Sequence, residues 1–92
     1  MNKVLLDNYI GLLQESADML YQENIRPAYS LLAALFPKLE ELTHDMSEEQ
    51  KSGFVQKLQI VMDAMSENDS TMVADTIQYE LIEYMVGMKN EE

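Results

Sequence analysis

Residues 47–65, SEEQKSGFVQKLQIVMDAM, decide the fold. Ser47 followed three positions later by Gln50, ahead of an apolar series, is a capping box: each side chain satisfies the other residue's orphan backbone N–H at a helix start. Phe54, Leu58, Val61 and Met65 then recur at spacings of four, three and four, which is one face of a helix, with Val55 and Met62 alongside. No period-two alternation interrupts them. Polar residues 66–70, including Asn68 and Asp69, close the block.

The same period governs the flanking sequence. Upstream, Leu6, Ile10, Leu13, Ala17 and Leu20 form the stripe of a helix running from Asn2 or Lys3 to Gln22, and Leu5, Tyr9, Leu12 and Met19 form a second stripe beside it. Asn24 stands where it can cap the next helix, with Pro27 in the first turn, where a missing N–H has no intrahelical partner to lose. Ile25, Tyr29, Leu32, Phe36, Leu39 and Leu42 are expected to face inward. Pro37 removes the hydrogen bond to the carbonyl of Ala33 and is expected to kink or split this helix. Downstream, Val73, Ile77, Leu81, Tyr84 and Met88 lie at spacings of four, four, three and four, and Gly87 is expected in the left-handed conformation that closes a helix.

Connections this short force neighbouring helices to run antiparallel. The expected fold is all-α: one domain over residues 1–88, an up-down-up-down four-helix bundle kinked at Pro37, with residues 89–92 frayed. The alternative is an open pair of hairpins that completes its core only as a dimer.

Composition narrows the function classes. The chain has 92 residues, 17 acidic against 6 basic side chains and a net charge of −11. Residues 1–38 hold four acids and three bases, net −1, while residues 39–92 hold thirteen acids and three bases, net −10. Phosphate backbones and anionic lipid repel such a domain, so neither nucleic acid nor membrane is an expected partner. The longest apolar run, Leu31 to Phe36, is far below the roughly 20 residues that span a bilayer. Lys3 is followed by aliphatic residues that Asp7 and Asn8 interrupt at once, so no secretory leader is expected. The lack of cysteine removes disulfides and thiolate chemistry and fits a reducing cytoplasm.

Chemistry-bearing patterns are few. Glu41 and His44 have the Glu-x-x-His spacing that resembles carboxylate-bridged di-iron bundles. Two such motifs are needed, so the metal reading requires a homodimer, and a histidine at a helix C-terminus is equally explained by the helix dipole. Helical phosphotransfer domains resemble the chain in size, but their mid-helix His followed by Lys-Gly has no counterpart around His44. Asp69-Ser70-Thr71-Met72 looks like the Asp-Ser-Leu or Asp-Ser-Met attachment signature of acyl carrier proteins. Only 22 residues follow Ser70, however, where that family has half a domain, and capping accounts for all three polar residues. Residues 69–80 have the length of a calcium loop, but Thr71 and Val73 fall at ligand positions and Ala74 where a glycine is needed. No nucleophile–base constellation and no glycine-rich phosphate loop is present, so neither enzymatic activity nor a cofactor is expected.

What exceeds the needs of a small core is apolar surface. Met72, Tyr79, Ile82 and Val86 form a second stripe on the fourth helix, matching Tyr9 and Leu12 on the first, with Glu80 and Glu83 as an acidic rim. Contiguous exposed apolar patches mark partner sites. Met62, Met65, Met72, Met85 and Met88 add the adaptable side chains suited to receiving an amphipathic helix, or serve as core filler. A small, acidic, Met-rich helical chain with Tyr9-x-x-Leu12-Leu13 resembles bacterial flagellar and type III secretion chaperones. The resemblance implies an aggregation-prone segment of another protein as partner. The sequence therefore points to a cytoplasmic, non-enzymatic interaction module, binding another protein or a second copy of itself as a homodimer.

Overall fold

A computed structural model describes residues 2–91, which are helical nearly throughout. The order is α1 (Lys3–Tyr21), α2 (Ile25–Leu42), a 3₁₀ turn (Thr43–Asp45), α3 (Glu48–Ser66), α4 (Ser70–Thr76), a π-helical segment (Ile77–Ile82) and α5 (Glu83–Asn90). The last three follow one another without a break in helical dihedrals and form one long fourth helix.

Side chains start three of these helices. Asn2 accepts from the Leu5 N–H at 3.1 Å and Asp69 from the Met72 N–H at 3.1 Å. The capping box is complete: the Gln50 N–H donates to the Ser47 hydroxyl at 3.1 Å, and the Ser47 N–H donates to the Gln50 side chain at 3.1 Å. Asn24 occupies the cap position of α2 but its side chain makes no capping bond. That connection closes instead through the backbone, with Glu23 in the left-handed region (φ 65°) and the Asn24 N–H donating to the Met19 carbonyl at 2.8 Å.

At Pro37 the second helix continues to Leu42 without a split, and Pro37 itself is exposed. Two local expectations need correction. Gly87 does not end the fourth helix. No glycine has positive φ, and α5 runs on to Asn90, through part of the tail expected to fray; Glu92 lies outside the described residues. The buried seam of α2 is Ala28, Leu32, Leu35, Leu39 and Leu42, whereas Ile25 is 42% exposed and Tyr29 and Phe36 are only half-buried on one flank.

The π segment answers a spacing problem written in the sequence. Val73, Ile77, Leu81 and Met85 follow one another at intervals of four, and at about 3.6 residues per turn such a row winds steadily around a helix. Hydrogen bonding from i to i+5 widens the turn and underwinds the helix, keeping the row in line. All four side chains are fully buried, and Met88 is nearly so. Tyr84, read as part of this seam, is displaced to its edge, where its hydroxyl donates to the Gln50 carbonyl at 3.1 Å.

This fourth helix is central. Against α1 the contacts run in opposite senses along the two helices: Tyr21 with Asp75 at 2.5 Å, Gln14 with Gln78 at 3.2 Å, Asp7 with Lys89 at 2.6 Å. Against α3 they are Lys57 with Glu80 at 2.5 Å, Gln50 with Tyr84, and Gln50 with Glu91 at 3.1 Å. α1 also packs along α2, but α2 and α3 make almost no close approach to each other.

The glycines test this packing with opposite signs. A β-carbon on Gly53 would meet the Tyr84 ring, with ring carbons only 2.6 and 2.8 Å away, whereas one on Gly11 would meet nothing within 4 Å. Gly53→Ala is expected to destabilise the fold by about 1–3 kcal/mol through overpacking. Gly11→Ala should stabilise it by about 0.5–1 kcal/mol, because glycine in a helix interior carries the larger entropy loss. Urea unfolding of the two variants beside the parent measures both.

Candidate functional site

Because α2 and α3 stand apart, a groove of about 250 Å³ opens between them. Its walls are Glu40 from the end of α2, Thr43 from the 3₁₀ turn, and Val55, Leu58, Gln59 and Met62 from α3. Leu58 and Thr43 lie deep, at 6% and 9% exposure, while Val55 and Met62 stand 48% and 37% exposed. Two of its polar groups are bonded within their own turns: the Thr43 hydroxyl donates to the Glu40 carbonyl at 2.6 Å, and the Gln59 amide donates to the Asp63 carboxylate at 2.8 Å. Val55, Leu58 and Met62 supply the apolar part of the lining. Val55 and Met62 sat beside the expected α3 seam, and their exposure follows from the missing α2–α3 contact.

The residues expected to form one patch on the first and fourth helices differ in exposure. Tyr9 and Leu12 are half-buried; Tyr9 lies in a cleft of about 160 Å³ with Leu5, Lys38, Glu41, Leu42 and Asp45, between α1 and the end of α2. Ile82 is 7% exposed and belongs to the core, because the underwound turn rotates it inward from the stripe it would share in a regular helix. Glu80 is tied to Lys57, leaving Glu83 as the exposed carboxylate of the expected rim. Met72, Tyr79 and Val86 do remain exposed, seven residues apart, on the outer face of the fourth helix. Of the five methionines on α3 and the fourth helix, Met85 and Met88 are core, Met65 is half-buried, and Met62 and Met72 are exposed.

Glu41 and His44 are both exposed, Glu41 in the last turn of α2 and His44 in the 3₁₀ turn after it. Among the described residues no three His, Cys, Asp or Glu side chains are grouped so as to hold a metal ion. Among the described residues no helix is long and apolar enough to cross a membrane.

The outer face of the fourth helix has one polar anchor. The Tyr21 hydroxyl donates to Asp75, and that bond to a carboxylate, with the nearby charges, pushes the Tyr21 pKa up to about 12 from an ordinary value of 10. Burial and the neighbouring acids Glu91 and Glu49 also raise that of Tyr84.

Compared with known proteins, the chain matches no protein family, no curated protein and no solved structure.

The Tyr21–Asp75 contact predicts a pH dependence. A tyrosine whose pKa is higher folded than unfolded binds its proton more tightly in the native state, so the contact's stabilisation is complete below pH 10 and is lost as pH rises through about 12. In Asp75→Asn, spectrophotometric titration should show one phenolate forming at lower pH than in the parent. An unchanged titration curve would mean that Tyr21 does not hold this bond in solution.

Proposed function

We propose that this chain is a non-enzymatic interaction module, and that the groove between α2 and α3 receives an apolar segment of another protein. The observation that carries the reading is the open seam: α2 packs on α1 and α3 on the fourth helix, while α2 and α3 make almost no close approach to each other and leave Val55 and Met62 exposed over an apolar floor. An apolar surface that the chain's own helices do not cover is typical of a partner site, and a methionine at its edge adapts to varied side chains. Sheltering an aggregation-prone segment, the role implied by the likeness to secretion chaperones, needs no catalytic group. The lack of cysteine suits work in the reducing cytoplasm.

Self-association is the second reading, and the exposed row of Met72, Tyr79 and Val86 favours it. Against it stand Asp75 and Glu83, exposed on the same helix, and a charge of −11 that sets copies of the chain against one another.

A photoreactive side chain placed at position 62 in the cells that make this protein separates the readings. The groove reading predicts a discrete adduct with another protein, absent when the same group replaces exposed Gln56 and abolished by adding Val55→Glu. Equal adducts from positions 56 and 62 would refute it. A self-adduct formed only from position 79 would establish the homodimer in its place.

A further inference from the structure

The two halves of the chain share one design. α1 and α3 both have 19 residues, and each follows a cap residue, Asn2 or Ser47, that accepts from the backbone N–H three positions on. Glu23 and Asn68, the two non-glycine residues with positive φ among those described, end the first helix of each half, and Asn24 and Asp69 hold the cap position of the second. Each of these pairs is separated by 45 positions. A side-chain bond repeats at the same offset: the Gln14 amide donates to the Asp18 carboxylate, and the Gln59 amide to the Asp63 carboxylate, beside the buried Leu13 and Leu58. Caps, turn and side-chain bond recurring at one fixed period mark an internal repeat.

The second helices of the two halves differ by one residue. Ala28, Leu32, Leu35, Leu39 and Leu42 are buried at intervals of four, three, four and three, and Val73, Ile77, Leu81, Met85 and Met88 at four, four, four and three. The extra residue falls between Ile77 and Leu81, inside the π-helical segment, whose wider turn takes it up without rotating the residues that follow.

Two copies related by a two-fold axis make each cross-contact twice, so the fourth helix on α1 has α2 on α3 as its counterpart. The first contact carries three ties: Tyr21 with Asp75, Gln14 with Gln78, and Asp7 with Lys89. At the matching positions of the second stand Ser66 with Ser30, Gln59 with Ala33 and, past the inserted residue, Ser52 with Thr43, whose side chains are too short or too apolar to span two helices. The interhelical side-chain bonds among the described residues join α1 or α3 to the fourth helix, and none involves α2. Exposed Val55 and Met62 correspond to half-buried Ile10 and buried Ala17.

We infer that the chain is one helical hairpin used twice, with a residue inserted in the second copy and the interhelical ties absent from the first, so that α2 is a strap poised to close on α3. Its hinges are the turns at either end, around Glu23 and at Thr43–Asp45, and its closure covers Val55 and Met62 as the fourth helix covers their counterparts. The inference stands on the repeat and does not need a partner in the groove.

Transplanting the ties tests the strap in the full chain, at positions that are all exposed. Ser30→Asp, Ser66→Tyr and Ala33→Gln together should slow hydrogen exchange of the Leu32 and Leu39 amides by about tenfold or more, and shield the Val55 and Met62 methyls from a soluble paramagnetic probe. Ser30→Asp alone should change neither. A folded triple variant with both readouts at the parent's values would overturn the strap. Deleting Tyr79, exposed within the π-helical segment, tests the repeat. It restores the four-three-four-three row of α2, so urea unfolding should remain one cooperative transition near the parent midpoint. Deleting exposed Ala34 should abolish that transition, because it turns Leu35, Leu39 and Leu42 by about 100° off the seam. Equal damage from the two deletions would mean that no residue is inserted, and the repeat falls with it.

Discussion

The underwound turn at Ile77–Ile82 is the constraint on which the rest of the molecule depends. Four apolar residues at successive intervals of four cannot stay on one line of a regular α-helix, and each buried side chain of this size contributes about 1.5–3 kcal/mol relative to exposure. Widening one turn keeps Val73, Ile77, Leu81 and Met85 together in the core. It also sets the flanks: Gln78 meets α1, while Glu80 and Tyr84 meet α3, where Gly53 leaves room for the tyrosine ring. The fourth helix thereby becomes the element that both α1 and α3 lie against.

From that arrangement the openness of the bundle follows. Close approaches run in series, α2 on α1, α1 on the fourth helix, the fourth helix on α3, whereas α2 and α3, which would close the ring, make almost none. A closed ring of four interfaces would have buried Val55 and Met62. An open series leaves them at the edge of a groove, and the functional reading rests on that difference.

Much of the fold was legible in the sequence because it depends on local signals. The capping box at Ser47 and Gln50 is present in full, and the 3.6-residue stripes of α1 and α3 are buried largely as their spacing indicates. Where the reading failed, non-local packing chose between neighbouring stripes. On α2, Ala28 and Leu35 displace Ile25, Tyr29 and Phe36 from the seam, because the close neighbour of that helix is α1. A regular helical wheel puts Ile82 at the surface, and the wide turn moves it inside; the interval-of-four row is the signal in the sequence that marks this turn. Gly87 looked like a stop signal, but helical dihedrals suit glycine as well as left-handed ones do, and the chain beyond it stays helical. The groove left no trace in periodicity, since it arises from two helices failing to meet.

An open series also has a mechanical consequence. A helix attached along a single neighbour loses its contacts independently of the others, and local opening free energies reflect such differences in attachment. Native-state hydrogen exchange, resolved by residue, is the most direct test of the account. It predicts that buried α2 positions such as Leu32 and Leu39 exchange through a sub-global opening, distinctly less protected than Leu13 in α1 or Leu81 in the fourth helix, although all four side chains are fully buried. If the α2 amides exchange only with the global unfolding that exposes Leu13 and Leu81, the ring of helices is closed in solution and the account is contradicted.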